Sequence, residues 1–434
     1  MQEGLLYDVV GVGFGPSNLA LAAAVAEESR ARELNVLFLE QKSEFSWHSD
    51  MLLPGAEMQI SFLKDLVTLR NPRSRFTFLN YLKEAGRLSA FSNLRHFYPS
   101  RVEFNDYLRW VAAQLSHCVQ YGRHVESVVA TEHAPHAAFE ITARDARGQS
   151  FRYMARNLVV APGGSPAVPF PVKATQDKVW HSSTYLRNIK RFAERQPSPR
   201  QLVVVGRGQS AAEITLDLYR RFPRATICCV YRGFSMKPAD DSEFVNQVFD
   251  HAFIDFVYNA DHDLRSSIVR EHQDTNYSVV DAELIRELYM LWYQEKVNGQ
   301  SRLRFHNFLR VQDIADDAEA VRLQCRSLSN DCDMVLQADA VVLATGYNYP
   351  NPPAILNGVR HFLRLDENQA YPRVSRHYRV DTDARLEAGI YLQGCNEHTH
   401  GLSDTLLSVL AIRADEILSD VLDRQGLALE KMSA

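Results

Sequence analysis

The sequence predicts an α/β fold: two Rossmann-like units of doubly wound type, the second inserted in the first, with a small helical region. Three observations predict it. "VVGVGFGPSNLA" (9–20) and "VVVGRGQSAAEI" (203–214) each pass from an apolar run through spaced glycines into a helix-like stretch. "NLVVAPGGSP" (157–166) and "AVVLATGYNYP" (340–350) are apolar runs closed by glycine turns, where a chain would cross between units. Between 240 and 299 the pattern turns helical, with Val280, Leu284, Leu288 and Leu291 at helical spacing. The expected division is 1–168 and 348–434 for the first unit and 169–236 and 303–347 for the second. Residues 237–302 are the helical region.

Bulk composition agrees with a multi-domain globular chain. It has 434 residues, 46% hydrophobic and 23% charged, enough for two or three cores. A net charge of −5 gives no electrostatic hint of nucleic acid. The apolar stretch 9–25 is broken by Gly11, Gly13, Gly15 and Pro16 and follows "MQEG", which lacks a basic leader. Neither a signal peptide nor a membrane span is expected. Six cysteines without a CxxC spacing suggest a reduced, cytoplasmic protein. A homo-oligomer is compatible with the composition.

In the first turn, Gly11 and Gly13 permit close backbone approach to a diphosphate. Gly15 and Pro16 lead into the helix, where proline suits the first turn because its missing N–H would be unpaired there. "NVLFLEQ" then ends a second strand in Glu40, which can accept hydrogen bonds from a ribose diol. The second turn repeats the plan with Gly206, Gly208 and Ala211. Its following strand, "ATICCVYR", ends in Arg232 instead of an acid. Arginine there pairs with a 2′-phosphate that a glutamate would repel. Hence FAD is expected at the first turn and NADPH at the second, with hydride passing between them.

Longer segments then narrow the chemistry: "SWHSDMLLPGAEMQISFLKDLVTLRNPRSRFTFLNYL", "FYPSRVEFNDYLRWVA", "GQSAAE", "KPADDSEFVNQVFD", "DTNYSVVD", "LATGY" and "HTHGLSDTLLSVLAIRADEI". Together with the first turn they resemble the flavin-dependent N-hydroxylating monooxygenases, in particular the ornithine N5-hydroxylases of siderophore biosynthesis. "HGLSDTLLS" resembles the ornithine branch, since the lysine relatives carry "AD" in place of "SDT". The resemblance implies that NADPH reduces FAD, that O2 adds at flavin C4a, and that oxygen passes to the side-chain amine of L-ornithine. No catalytic side-chain nucleophile is then required.

The resemblance also implies site residues. Gln59 would lie near the reactive edge of the flavin, with Met58 as pocket wall, and Lys64 would bind the ornithine carboxylate. Local residues alone equally fit Lys64 as a surface cation beside Asp65. Asn246 and Asn276 would face ornithine, Asn276 also reaching NADP, with Thr275 on the same edge; turn or cap roles fit them too. Trp47 and His48 would run along FAD, and the backbone at Val125 would hold its adenine. Gln209 and Ser210 would join Gly208 at NADP. "LSDTLLSVLAIR" reads as a helix entered at Ser403 or Asp404. The N–H groups of Thr405, Leu406 and Leu407 would meet the flavin, and Ser408 the substrate. "EHTHG" (397–401) lacks an HExxH spacing or a third ligand, so no metal is expected.

Overall fold

A computed structural model describes residues 5–131, 138–317 and 319–426. The strand Leu6–Val12 pairs in parallel with Val36–Glu40 on one side and Ser150–Val160 on the other. Val119–Tyr121 extends the sheet beyond Val36–Glu40. An antiparallel pair, His124–Thr131 and Ala138–Arg144, extends it the other way. The last strand of this sheet, Gly389–Leu392, returns from late in the chain to pair with Ser150–Val160. Strands buried on both faces need apolar side chains on both, and Val9–Val12 and Leu37–Leu39 supply them.

Between Val160 and Gly389 the chain builds a second sheet. Its order is Leu303–His306, Thr226–Val230, Gln201–Val205, Ala340–Leu343, Val179–His181, all parallel. An antiparallel meander, Leu309–Asp316, Val321–Ser327 and Asp333–Ala338, packs beside it around Ile314, Leu323 and Cys325. The two glycine-closed runs meet one another: Ser165–Pro166 pairs antiparallel with Tyr347–Asn348. A Cβ at Gly164 would crowd Tyr347 and Tyr349 at 2.8–2.9 Å, so glycine allows this ribbon to close.

Helix Pro16–Glu27 is buried along Asn18–Ala24. Its alanines let the C-terminal helix Leu410–Arg424 pack closely against it, in the core that also holds Val9, Phe38 and Val159 of the sheet.

That C-terminal helix begins at Leu410, not at Ser403 or Asp404. Leu402–Thr405 and Leu407–Val409 form separate 3₁₀ turns, split by the extended Leu406 (φ −105°, ψ 168°). The reason is electrostatic. Asp404 does not cap a helix; it is fully buried, accepts Asn396 N–H at 2.6 Å and pairs with Arg413 at 3.1 Å. Thr405, Leu406 and Leu407 therefore do not form the first turn of one long helix.

The helical stretch also divides. Ala282–Val297 excludes Val280, which lies in the short strand Val279–Val280. Leu288 of this helix joins the core of the second sheet. His251–Asn259 instead packs toward Glu397–Gly401, where Val257 lies 3.3 Å from a Cβ placed on Gly401.

Candidate active site

The first turn is closed by the protein's own packing. Gly13 takes φ +83°, and a Cβ there would overlap the carbonyl oxygen of Ala161. A Cβ on Gly11 would overlap the Phe38 ring. Gly15 is different: φ is −80°, and a Cβ would meet nothing within 4 Å. That space opens at the N-cap of the helix begun by Pro16, whose first N–H groups have no intrahelical partners. A diphosphate fits such a cradle.

Asn18 fixes the turn by donating to Gly13 O at 2.7 Å and Val12 O at 3.2 Å. The buried Glu40 accepts Phe14 N–H at 2.7 Å and Lys42 N–H at 2.9 Å, tying the turn to the end of the second strand. Arg123 N–H donates to Glu40 O, so the strand carrying Val125 starts beside it; the Val125 side chain is core. Trp47 is held by Asn105 at 3.3 Å and meets His48 edge-on. His48 adopts φ 45° and approaches Tyr347 of the crossing ribbon at 6.0 Å. His48 is exposed there, with Arg101 and Lys42 nearby.

The second turn has the same logic. Gly206 takes φ +145° against Ala344 O. Gly208 caps the helix Gln209–Arg221, and Ser210 lies in its first turn. Arg232 follows the buried Tyr231 and is exposed at the strand end.

A chain of polar side chains joins the two units. Gln59 Nε2 donates to Asp281 Oδ1 at 2.8 Å. Gln209 Nε2 donates to Asp281 Oδ2 at 2.6 Å and to Glu213 at 2.9 Å, and Asp281 N–H donates back to Gln209. Glu213 receives both Arg101 nitrogens, at 2.6 and 2.9 Å. Thus Arg101 grips the helix that starts at the second turn directly, and Gln59 reaches it through Asp281. Asp281 and Glu213 went unnoticed in the sequence. The available signal was an Asp directly before a helical run, which also reads as an ordinary N-cap.

Two of the residues expected at the substrate stand near the tail segment. Tyr277, next to Asn276 and Thr275, hydrogen-bonds Glu397 and lies 3.4 Å from Thr405 Oγ1. The turn Val245–Phe249, which holds Asn246, packs on Leu402–Thr405. Asn246 donates to Asp241 O at 2.7 Å, and Ser408 is buried. Met58 is buried beside Gln59. Lys64 is half-buried and has no carboxylate partner among the described residues. Asp65 does not serve it. That carboxylate turns inward to accept the N–H groups of Val67, Thr68 and Phe78 at 2.6–2.9 Å. No described contact joins Lys64 to Asn246, Asn276 or Ser408.

His398 stacks on Tyr371 and His400 on Tyr378. Among the described residues no group of three or more His, Cys, Asp or Glu could hold a metal. No helix among them is long and apolar enough to cross a membrane.

Residues 5–349 match the family model for L-lysine 6-monooxygenase/L-ornithine 5-monooxygenase. The chain belongs to that family. It is 41% identical over 417 residues to the L-ornithine N(5)-monooxygenase of Pseudomonas aeruginosa, covering 95% of this chain and 93% of that protein. The solved ornithine hydroxylase from the same organism superposes with TM-score 0.89 at 39% identity, covering 97% of this chain and all of that one. A Kutzneria ornithine N-hydroxylase, solved with reduced FAD, NADP+ and L-ornithine, gives TM-score 0.93 at 39% identity over the same shares.

Proposed function

We propose that the chain is an FAD- and NADPH-dependent L-ornithine N5-monooxygenase, forming N5-hydroxy-L-ornithine for hydroxamate products in the cytoplasm. The observation that carries the reading is the Gln59–Asp281–Gln209 link. It sets the loop after the first dinucleotide turn against the start of the second, as hydride transfer between two cofactors requires. When bound, reduced FAD supplies the chemistry that activates O2, and NADPH supplies the hydride. The chain's residues do the rest. Gly15 leaves room for a diphosphate, and Glu40 offers acceptors to a ribose. Lys64 holds the substrate carboxylate as a point charge. Asn246 and Asn276 orient the amino acid without adding charge, while Ser408 and Met58 close the pocket against water.

Coupling tests the reading. NADPH oxidation should generate hydroxylamine in proportion to added ornithine. Peroxide without hydroxylamine would make the protein an oxidase instead.

Glycine variants separate ligand contact from folding. Gly15→Ala should leave the folded structure intact, since its φ suits alanine and the space is open, yet lower FAD affinity by roughly tenfold or more. Gly13→Ala should instead destabilise the protein itself, because its Cβ strikes the Ala161 carbonyl. Flavin titration and thermal unfolding of both variants check this; full flavin affinity in Gly15→Ala would contradict the cradle.

For the second turn, Arg232→Ala should weaken NADPH by about tenfold while changing NADH little, since only NADPH loses a charge-assisted contact. Steady-state kinetics with both nucleotides decide it, and equal weakening would show that Arg232 does not read the 2′-phosphate.

A further inference from the structure

The second glycine turn reads Gly206-Arg207-Gly208, and its middle residue has a use that the fingerprint does not demand. The Arg207 guanidinium lies along Gly233, directly after Arg232. A Cβ on Gly233 would come within 2.7 Å of Arg207 Nη1 and 3.2 Å of its Cζ. Glycine at 233 thus leaves the room that Arg207 occupies. Among the described residues Nη1 donates only a long bond, 3.4 Å to Ser235 O. Among the described residues neither Arg207 nor Arg232 has a carboxylate at ion-pair distance.

The loop they share is held in place. Phe308 N–H donates to Gly233 O at 3.0 Å, and Asn307 Nδ2 to Phe234 O at 3.1 Å. So one cation, Arg232, is carried by an anchored loop, and the guanidinium of a second, Arg207, reaches that loop from the turn. In a doubly wound unit this is where the adenosine ribose of a dinucleotide sits. With no carboxylate at ion-pair distance among the described residues, both guanidiniums are left for a doubly charged anion at this loop.

We propose that Arg207 is a second specificity-determining residue for NADPH, closing with Arg232 on the 2′-phosphate. This rests on the reading of the second unit as the NADPH site. The test measures NADP+, NAD+ and 2′,5′-ADP binding to the FAD-loaded protein by calorimetry. Arg207→Gln removes the charge and keeps most of the reach; Arg207→Lys restores charge. Arg207→Gln should lose about tenfold in affinity for NADP+ and 2′,5′-ADP and under about twofold for NAD+. Arg207→Lys should recover much of the loss. A merely structural role would weaken NAD+ equally, and that result, or parental NADP+ affinity in Arg207→Gln, would overturn the proposal. If Arg232→Ala and Arg207→Gln both leave 2′,5′-ADP binding unchanged, the NADPH assignment of this unit fails as well. If Arg232→Ala alone weakens it, only the role of Arg207 fails.

Discussion

Lys64→Ala should raise the KM for ornithine by roughly 10- to 150-fold, the loss of one charge-assisted contact worth about 1.5–3 kcal/mol. The argument starts from where the neighbouring charge goes. Asp65 spends its carboxylate on three backbone N–H groups and the Thr68 hydroxyl, so Lys64 keeps its charge for an outside anion. A cation at the carboxylate end also leaves no anion beside the reacting amine. That amine must react as a neutral lone pair, although its reference pKa is about 10, so the pocket must favour its neutral form. NADPH-dependent flavin reduction should change much less than ornithine KM. More peroxide should then form per NADPH consumed, and hydroxylation should rise with pH where deprotonation limits it. An unchanged ornithine KM in the variant, or putrescine used as well as ornithine by the parent, would contradict this role.

Arg413→Met should cost about 3–5 kcal/mol of stability, because it strands a buried carboxylate. Arg413 and Asp404 are 1% and 0% exposed in their side chains. The guanidinium is also shared with Gln393 at 3.2 Å and with Ser17 Oγ at 3.0 Å, in the first turn of the helix begun by Pro16. Burial pushes the Asp404 pKa up, so protonation can soften the loss toward the lower figure. Adding Asp404→Asn should restore part of it by removing the unpaired charge. Denaturant unfolding of the three proteins measures these differences. An unshifted midpoint in Arg413→Met would show that the pair does not hold the C-terminal helix.

How legible a feature was depended on how many roles its residue type can play. Gly13 and Gly206 were readable because their turns need positive φ and lack room for a Cβ, a demand few residues meet. Parallel strands were readable because two buried faces require unbroken apolar runs. Ser403 and Asp404 were misread because an acid before an apolar stretch caps a helix in one setting and pairs with a buried arginine in another. The deciding partner, Arg413, is a distant choice that local pattern cannot show. Asp281 and Glu213 were missed for a related reason: their value lies in bridging units far apart in sequence. The apolar spacing in Ala282–Val297 gave the helix but not the sheet it covers.

Product identity tests the central claim most directly. The FAD-loaded protein is given NADPH and O2 with ornithine, lysine, putrescine or cadaverine, and the products are weighed by mass spectrometry. Ornithine should gain one oxygen on its side-chain nitrogen, lysine much less, and the two diamines least, since they offer no carboxylate to Lys64. Oxygen addition to lysine or a diamine in preference to ornithine, or peroxide with no hydroxylated amine at all, would contradict the account.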